Sequence, residues 1–470
     1  MNEERLQSYL TLTQQLLNFT TEEELSATLD KNRDLLDAGF LDFLNQHATL
    51  LAEQGEEETA CGVTNLAERL AGASGMTESE LDLQGYLDFL ETVLQAEYES
   101  NEPNAIYPIL EKNLDKLNLT FAELLQKWAR KVFANSSQEE TETIAGVIGN
   151  FCIDIQEFPL GNRSYNREIA IAGYEVVLEI YTREAFPVEH AMTLYNLALV
   201  YIDRIQGDRA ENLEKVIELY TEALKIRTRE AFPIEHARTL NNLANAYKNR
   251  LREDRAENLE KAITDYRSAL AVFTYESFPY QWGSTTYNLG VALNERFDRL
   301  GEREDLEEAI DAFEKIMKFY EKHPDEKFNL ARTRSALGHA LFQQGNYTRA
   351  IEILERARLE WQDLKDIANL AATLFDLGRL YHLQGFLEQA RLYYKDSSRL
   401  FRRTGDKTKE FAIMVALGNL SMQTGRISDA ENYLTRAKQY YEEEKNVVRL
   451  QEIQKLLDFI PKDYAGFTKI

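Results

Sequence analysis

A glutamate followed directly by a histidine occurs twice in the same setting, Glu189-His190 in "EAFPVEHA" and Glu235-His236 in "EAFPIEHA". A carboxylate beside an imidazole can relay a proton or ligate a metal, so this pair is the first candidate for chemistry. Its spacing argues against that role. The copies lie 46 residues apart, and a third at the same interval, "ESFPYQWG", carries Gln281-Trp282 instead. A metal or catalytic centre needs groups that converge on one point, whereas copies at a fixed interval lie along an array. Cys61 and Cys152 have no His or Cys at ligand spacing around them, so neither a zinc site nor a disulfide framework is predicted. The chain has no Gly-rich phosphate loop, no HExxH and no GxSxG. Paired carboxylates are so abundant that no single pair stands out. We expect no enzyme, no catalytic residues, no cofactor and no metal.

The interval itself decides the elements. Thr182, Thr228 and Thr274 open stretches 46 residues apart, each with two apolar-periodic segments joined by a short polar connection. Leu240, Leu243, Ala244 and Tyr247 recur at i, i+3, i+4, i+7, and Ala262, Tyr266 and Ala269 continue on the next helix. Ala198, Ala244 and Gly290 let a neighbouring helix approach, while Tyr201, Tyr247 and Leu293 fill space one turn on. After residue 325 the interval becomes 40, with Leu337-Gly338, Leu377-Gly378 and Leu417-Gly418 followed by turns at Gly345, Gly385 and Gly425. Pro187, Pro233 and Pro279 open first helices, and Phe186, Phe232 and Phe278 plug the joints, where the histidines pack. Asn212, Asn258 and Asp305 are placed to cap the second helices, with Glu214 and Glu260 in the positive first turn.

The Leu-Gly or Leu-Ala pair of each first helix and the alanine series of each second helix, as in "ALGHALFQQGNYTRAIEILERA", resemble the tetratricopeptide repeat (TPR) family. The resemblance implies an all-α superhelical solenoid of helical hairpins behind an N-terminal helical domain. We expect an acidic helical domain over 1–136, a degenerate repeat over 137–181, three long repeats over 182–325, three shorter ones over 326–445 and a capping helix with a tail over 446–470. In the first of these, apolar spacing predicts helices near 4–18, 23–36, 39–54, 57–71, 80–99, 104–115 and 119–134, broken at Gly55, the "GASG" of 72–75 and Pro103. Stretches such as "LLDAGFLDFLNQHATLLAEQG" resemble the amino-terminal part of bacterial, mainly cyanobacterial, repeat proteins, many of which continue into a caspase-like CHAT protease domain. No catalytic His and Cys region follows the repeats here, so a protease role is expected of a separate effector chain. "TLNNLANAY" is similar to repeats of the kinesin light chain.

In that family the outward face of each first helix lines a groove that binds extended peptides. On this pattern Arg238, Asn241, Asn245 and Lys248 lie opposite the leucine stripe, and Asn196, Asn242 and Asn288 recur at one position. An amide offers both a donor and an acceptor, so such asparagines either hold a ligand backbone or satisfy nearby backbone and solvent. Further along, the face presents Arg332, His339 and Phe342, then Phe375, Arg379 and His382, then Asn419. This lining suits an acidic or aromatic-containing segment.

The formal charge of −25 is concentrated in residues 1–110, with 22 Asp or Glu against 4 Lys or Arg. Such acidity argues against nucleic acid as a partner, and no apolar run is long enough for membrane insertion. The amino terminus lacks the basic-then-apolar order of a secretory signal, and the expected setting is cytoplasmic. The expected function is a non-enzymatic scaffold or adaptor, in the resemblance the sensing partner of a CHAT-like signalling or defence system. The alternative is a peptide-responsive bacterial regulator whose acidic amino-terminal domain docks on the weakly basic groove until ligand displaces it.

Overall fold

The computed structural model describes residues 3–17, scattered positions between 28 and 67, residues 83–100 and residues 105–460. Among these there is no strand, and the chain folds as repeated helical hairpins, as the apolar spacing predicts. It divides into two compact units, Met1–Phe273 and Thr274–Ile470. The expected breaks at Gly55, 72–75 and Pro103, most of the expected helices over 23–36, 39–54 and 57–71, and the tail from 461 lie outside the described residues.

The first unit begins with α1 (Glu3–Leu17), α2 (Leu83–Glu99), the short α3 (Tyr107–Glu111) and α4 (Leu119–Phe133). Three hairpins follow: α5 (Gln138–Glu157) with α6 (Arg163–Ile180), α7 (Pro187–Ile202) with α8 (Arg209–Leu224), and α9 (Pro233–Asn249) with α10 (Arg255–Leu270). From α5 to α10 each helix packs on the next, α4 packs on α6 and α2 on α5, so apolar residues from α2 to α9 form one core in which Phe121, Phe151 and Tyr220 are fully buried. A second cluster, with Tyr9, Leu12, Leu16, Phe40 and Leu44, packs against Ile205 in the α7–α8 turn.

The second unit contains α11 (Pro279–Leu300) with α12 (Arg303–Tyr320), α13 (Lys327–Gln344) with α14 (Tyr347–Leu364), α15 (Ile367–Leu383) with α16 (Leu387–Thr404), α17 (Lys407–Gln423) with α18 (Ile427–Glu443), and α19 (Val447–Asp458). Close packing inside these hairpins depends on small residues. A Cβ placed on Gly338 would lie 2.4 Å from Leu354 Cγ, a distance no side chain can tolerate, so the glycine sets how near α14 approaches α13.

The Phe-Pro joints are near-identical. Phe186, Phe232 and Phe278 have φ/ψ of −136°/65°, −140°/66° and −140°/61°, and each is followed by proline at the first helical position. There the missing N–H costs nothing. His190 Nδ1 lies 2.7 Å from the Tyr181 carbonyl, and His236 Nδ1 lies 2.7 Å from the Arg227 carbonyl. The histidines thus latch a first helix to the end of the preceding second helix. Trp282 replaces the latch by edge-to-face packing on Tyr275 and Phe319.

The expected helix caps need correction. Asp208 and Asp254 cap α8 and α10, accepting hydrogen bonds from Glu211 N and Glu257 N. Asn212 and Asn258 lie four residues further on and are buried, and their amides donate to the carbonyls of Gln206 and Arg252. They tie down the intra-hairpin loop instead. Asp305 is likewise not a cap, because it accepts a two-pronged hydrogen bond from Arg296. Glu214 is engaged by Arg250 rather than left to the helix dipole.

Hairpin turns in the second unit recur every 20 residues in the left-handed region, at Gly345, Lys365, Gly385, Gly405, Gly425 and Lys445. Lys365, at φ 59°, and Lys445, at φ 52°, carry a Cβ where the four glycines have none. Left-handed backbone costs a non-glycine residue about 1–2 kcal/mol, partly offset by the greater unfolded-state freedom of glycine. Lys365→Gly is therefore expected to stabilise the protein by roughly 0.5–1 kcal/mol, read as a higher urea midpoint. An unchanged or lower midpoint contradicts this.

Candidate partner-binding site

In the first unit, the face of α9 carries much of the expected polar set, but core tyrosines already hold part of it. Asn242 Nδ2 donates to Tyr195 OH at 3.0 Å, and Asn242 Oδ1 accepts from Asn241 Nδ2 at 3.1 Å. Asn245 Oδ1 accepts from Tyr266 OH at 2.6 Å. These amides satisfy tyrosine hydroxyls that would otherwise be buried without a partner. Asn241 Oδ1 is buried without a hydrogen bond, Arg238 is exposed, and Lys248 and Asn196 are half-buried. Burial raises the Tyr195 pKa, and Arg238, Arg227 and the Asn242 hydrogen bond offset part of that rise. Arg227 lies 4.6 Å above the Tyr195 ring. This face is a wall of tyrosine edged by cations.

In the second unit the first-helix residues gather around two depressions. The larger, about 920 Å3, is lined by Phe375, Arg379 and His382 of α15, Tyr394 of α16, Asn419 of α17, and Arg449 and Lys455 of α19. Arg379 lies 4.5 Å over the Phe342 ring and 5.8 Å from Phe375, with Asp376 at 3.6 Å. Its guanidinium sits over aromatic rings with one carboxylate nearby. His382 bridges Gln423 at 2.9 Å, and Asn419 accepts from the Gln423 amide at 3.4 Å. Asn288 is half-buried on α11.

The smaller depression, about 270 Å3, lies among Tyr287, Asn294, Asp298, Arg332, Ser335, His339 and Trp361. His339 Nδ1 is 3.4 Å from Asp376. Burial, the largest influence, pulls the imidazole pKa down, but the hydrogen bond and charge of Asp376, with Asp298 nearby, leave it above the ordinary value. Tyr287, Asn294, Trp361 and the α19 residues were not among the sequence candidates. The "YN" wording at Tyr195-Asn196 and again at Tyr287-Asn288 was the available signal for Tyr287. For Arg449 and Lys455 there was none, because α19 reads as a cap.

Among the described residues no group of three His, Cys, Asp or Glu is placed to hold a metal, and no helix is long and apolar enough to cross a membrane. Tetratricopeptide repeat models match residues 190–230 and 236–272 in the first unit and 329–403 in the second. No curated protein matches the chain. Among solved structures it is similar to BtubC from P. vanneervenii, at 19% identity over 50% of this chain and 92% of that one, with a TM-score of 0.42. It is also similar to kinesin light chain TPR-like repeats from P. anserina, at 15% identity over 43% and 89%, with a TM-score of 0.34. A STAND protein with a tetratricopeptide repeat sensor from Pyrococcus horikoshii is 15% identical over 97% of this chain and 66% of its own, with a TM-score of 0.48. Repeating hairpins, close-packed small residues and the matched segments together show that this chain carries tetratricopeptide repeats.

Proposed function

We propose that the chain is a non-enzymatic scaffold or adaptor that binds an extended protein segment along the first-helix faces of its repeats. Tetratricopeptide repeats support an interaction role in general. The observation that carries the finer reading is the 920 Å3 depression, where Phe375, Arg379, His382 and Asn419 share one opening with Arg449 and Lys455. A cation seated over aromatic rings, Arg379, with two further cations and an amide around the same opening favours a ligand with acidic and aromatic side chains. The CHAT-associated sensing role is the most specific form of this proposal, with the protease as the bound partner or its neighbour.

The test compares capture of cellular proteins by the full chain and by its Phe375→Ala/Arg379→Ala/Asn419→Ala variant, after circular dichroism shows equal helicity. Partners of this face are expected to fall at least about tenfold in recovery, since a few central aromatic and arginine contacts dominate such interfaces. Equal recovery of every partner rules the site out. A change in radius of gyration on binding would favour a ligand-switched regulator over a passive scaffold.

A further inference from the structure

We propose that the 270 Å3 cavity of the second unit is a receptor for one acidic side chain of the bound segment, with Arg332 as its counter-charge. This deepens the groove reading and rests on it. The chain has 79 Asp and Glu against 54 Lys and Arg, so an arginine in it readily finds a carboxylate. In the same unit Arg296 holds Asp305 at 2.6 Å, Arg334 holds Glu321 at 2.8 Å and Arg349 holds Glu314 at 2.7 Å. Arg332 differs. Its guanidinium lies 4.0 Å over the Tyr287 ring, its Nε is buried without a hydrogen-bond partner, and among the described residues none forms an ion pair with it.

A half-buried guanidinium on an aromatic face, with a buried Nε that has no acceptor and no acid in contact, gains when a ligand supplies the acceptor and the charge. The planar fork of arginine matches a carboxylate with two parallel N–H donors. The other groups at the cavity fit the same ligand. Asn294 presents an amide whose oxygen is buried without a partner, and rotating that amide offers N–H instead. Ser335 Oγ accepts from Trp361 Nε1 at 2.9 Å and lies 3.3 Å from Thr373 Oγ1, whose proton goes to the Asn369 carbonyl, so the serine is held in place as part of the cavity wall. Asp298, which takes the Gln343 amide, and Glu295 line the cavity as well, and their repulsion opposes a carboxylate anywhere but against Arg332. The volume admits one side chain rather than a folded element.

The first unit repeats the pairing. Arg238 stands five residues before Leu243 as Arg332 stands five before Leu337, and Tyr195 precedes Asn196 as Tyr287 precedes Asn288. Arg238 is exposed, beside Tyr195, and among the described residues none forms an ion pair with it.

The experiment follows the arginine Nε–H resonances of the full chain, with that of Arg332 assigned by its loss in Arg332→Gln. The probes are three short peptides: blocked Ala-Glu-Ala, blocked Ala-Gln-Ala, and Ala-Ala-Ala with only its terminal carboxylate free. The glutamate peptide is expected to move the Arg332 resonance saturably at low salt while the glutamine peptide does not. In the same chain Arg332→Gln is expected to weaken that peptide about thirty-fold, followed on the neighbouring Trp361 indole N–H resonance. Equal response to glutamine, no response to glutamate, or saturation only by the terminal carboxylate overturns the assignment. The two readings fail separately: if Phe375→Ala/Arg379→Ala/Asn419→Ala abolishes partner capture and Arg332→Gln leaves it unchanged, the groove stands and the carboxylate receptor falls.

Discussion

Trp361→Ala is expected to cost about 3–5 kcal/mol of stability, the usual range for deleting a fully buried tryptophan. Trp361 lies in α14 with 0% exposure and packs with Ala331 and Ala357, edge-on to Phe328 at 5.3 Å. It fills the space between two hairpins and also walls the Arg332 cavity. Alanine there leaves a hole that neighbouring helices close only in part, because each is held by its own hairpin partner. Trp361→Phe keeps most of the packing and loses the hydrogen bond to Ser335, so about 1–2 kcal/mol is expected. Urea unfolding followed by circular dichroism separates the two variants. In an array whose repeats touch mainly their neighbours, the fluorescence of Trp282 and Trp128 also reports whether the damage stays near α14. Equal midpoints for Trp361→Ala and the parent chain would show that the repeats close around the gap.

The repeated elements were legible because each rests on local chemistry that recurs with the period. Proline after phenylalanine, alanine or glycine at the close approach, and glycine at the turn each demand one backbone geometry wherever they occur. Where two residues offered the same chemistry, sequence alone chose wrongly. "GDRAEN" contains both Asp208 and Asn212, and only burial shows that Asp208 caps the helix while Asn212 anchors the loop. The candidate site was harder to read, because its contacts join different repeats. Asn242 looks outward on a helical wheel, yet the Tyr195 hydroxyl from the preceding repeat occupies its amide. Tyr287 and Arg332 are unremarkable in their own helices and acquire meaning only where α11 and α13 bring them together.

Glu214→Ala is expected to remove roughly 2–4 kcal/mol from the first unit, less than the full cost of breaking a buried pair because solvent reaches part of it. Arg250 Nε and Nη2 donate to the two oxygens of Glu214 at 2.7 and 2.6 Å, joining α8 to the end of α9. The side chains are 14% and 27% exposed, so cutting one partner strands a charge mostly away from water. Glu168 and Arg204 make the same two bonds one period earlier, both at 2.8 Å. Hydrogen bonding from Arg250 holds the Glu214 carboxyl below its usual pKa. A depressed carboxyl contributes stability above its unfolded pKa of about 4.3, and that contribution disappears as pH falls through the folded value. The parent chain and Glu214→Gln are therefore expected to differ most near neutrality and to converge in acid. The double variant Glu214→Leu/Arg250→Met removes both charges and is expected to recover most of the loss, since apolar replacement of such a pair is often neutral. If Glu214→Ala and the double variant unfold at the same urea concentration, the Glu–Arg link is not what couples these repeats, and packing between α8 and α9 alone must hold them.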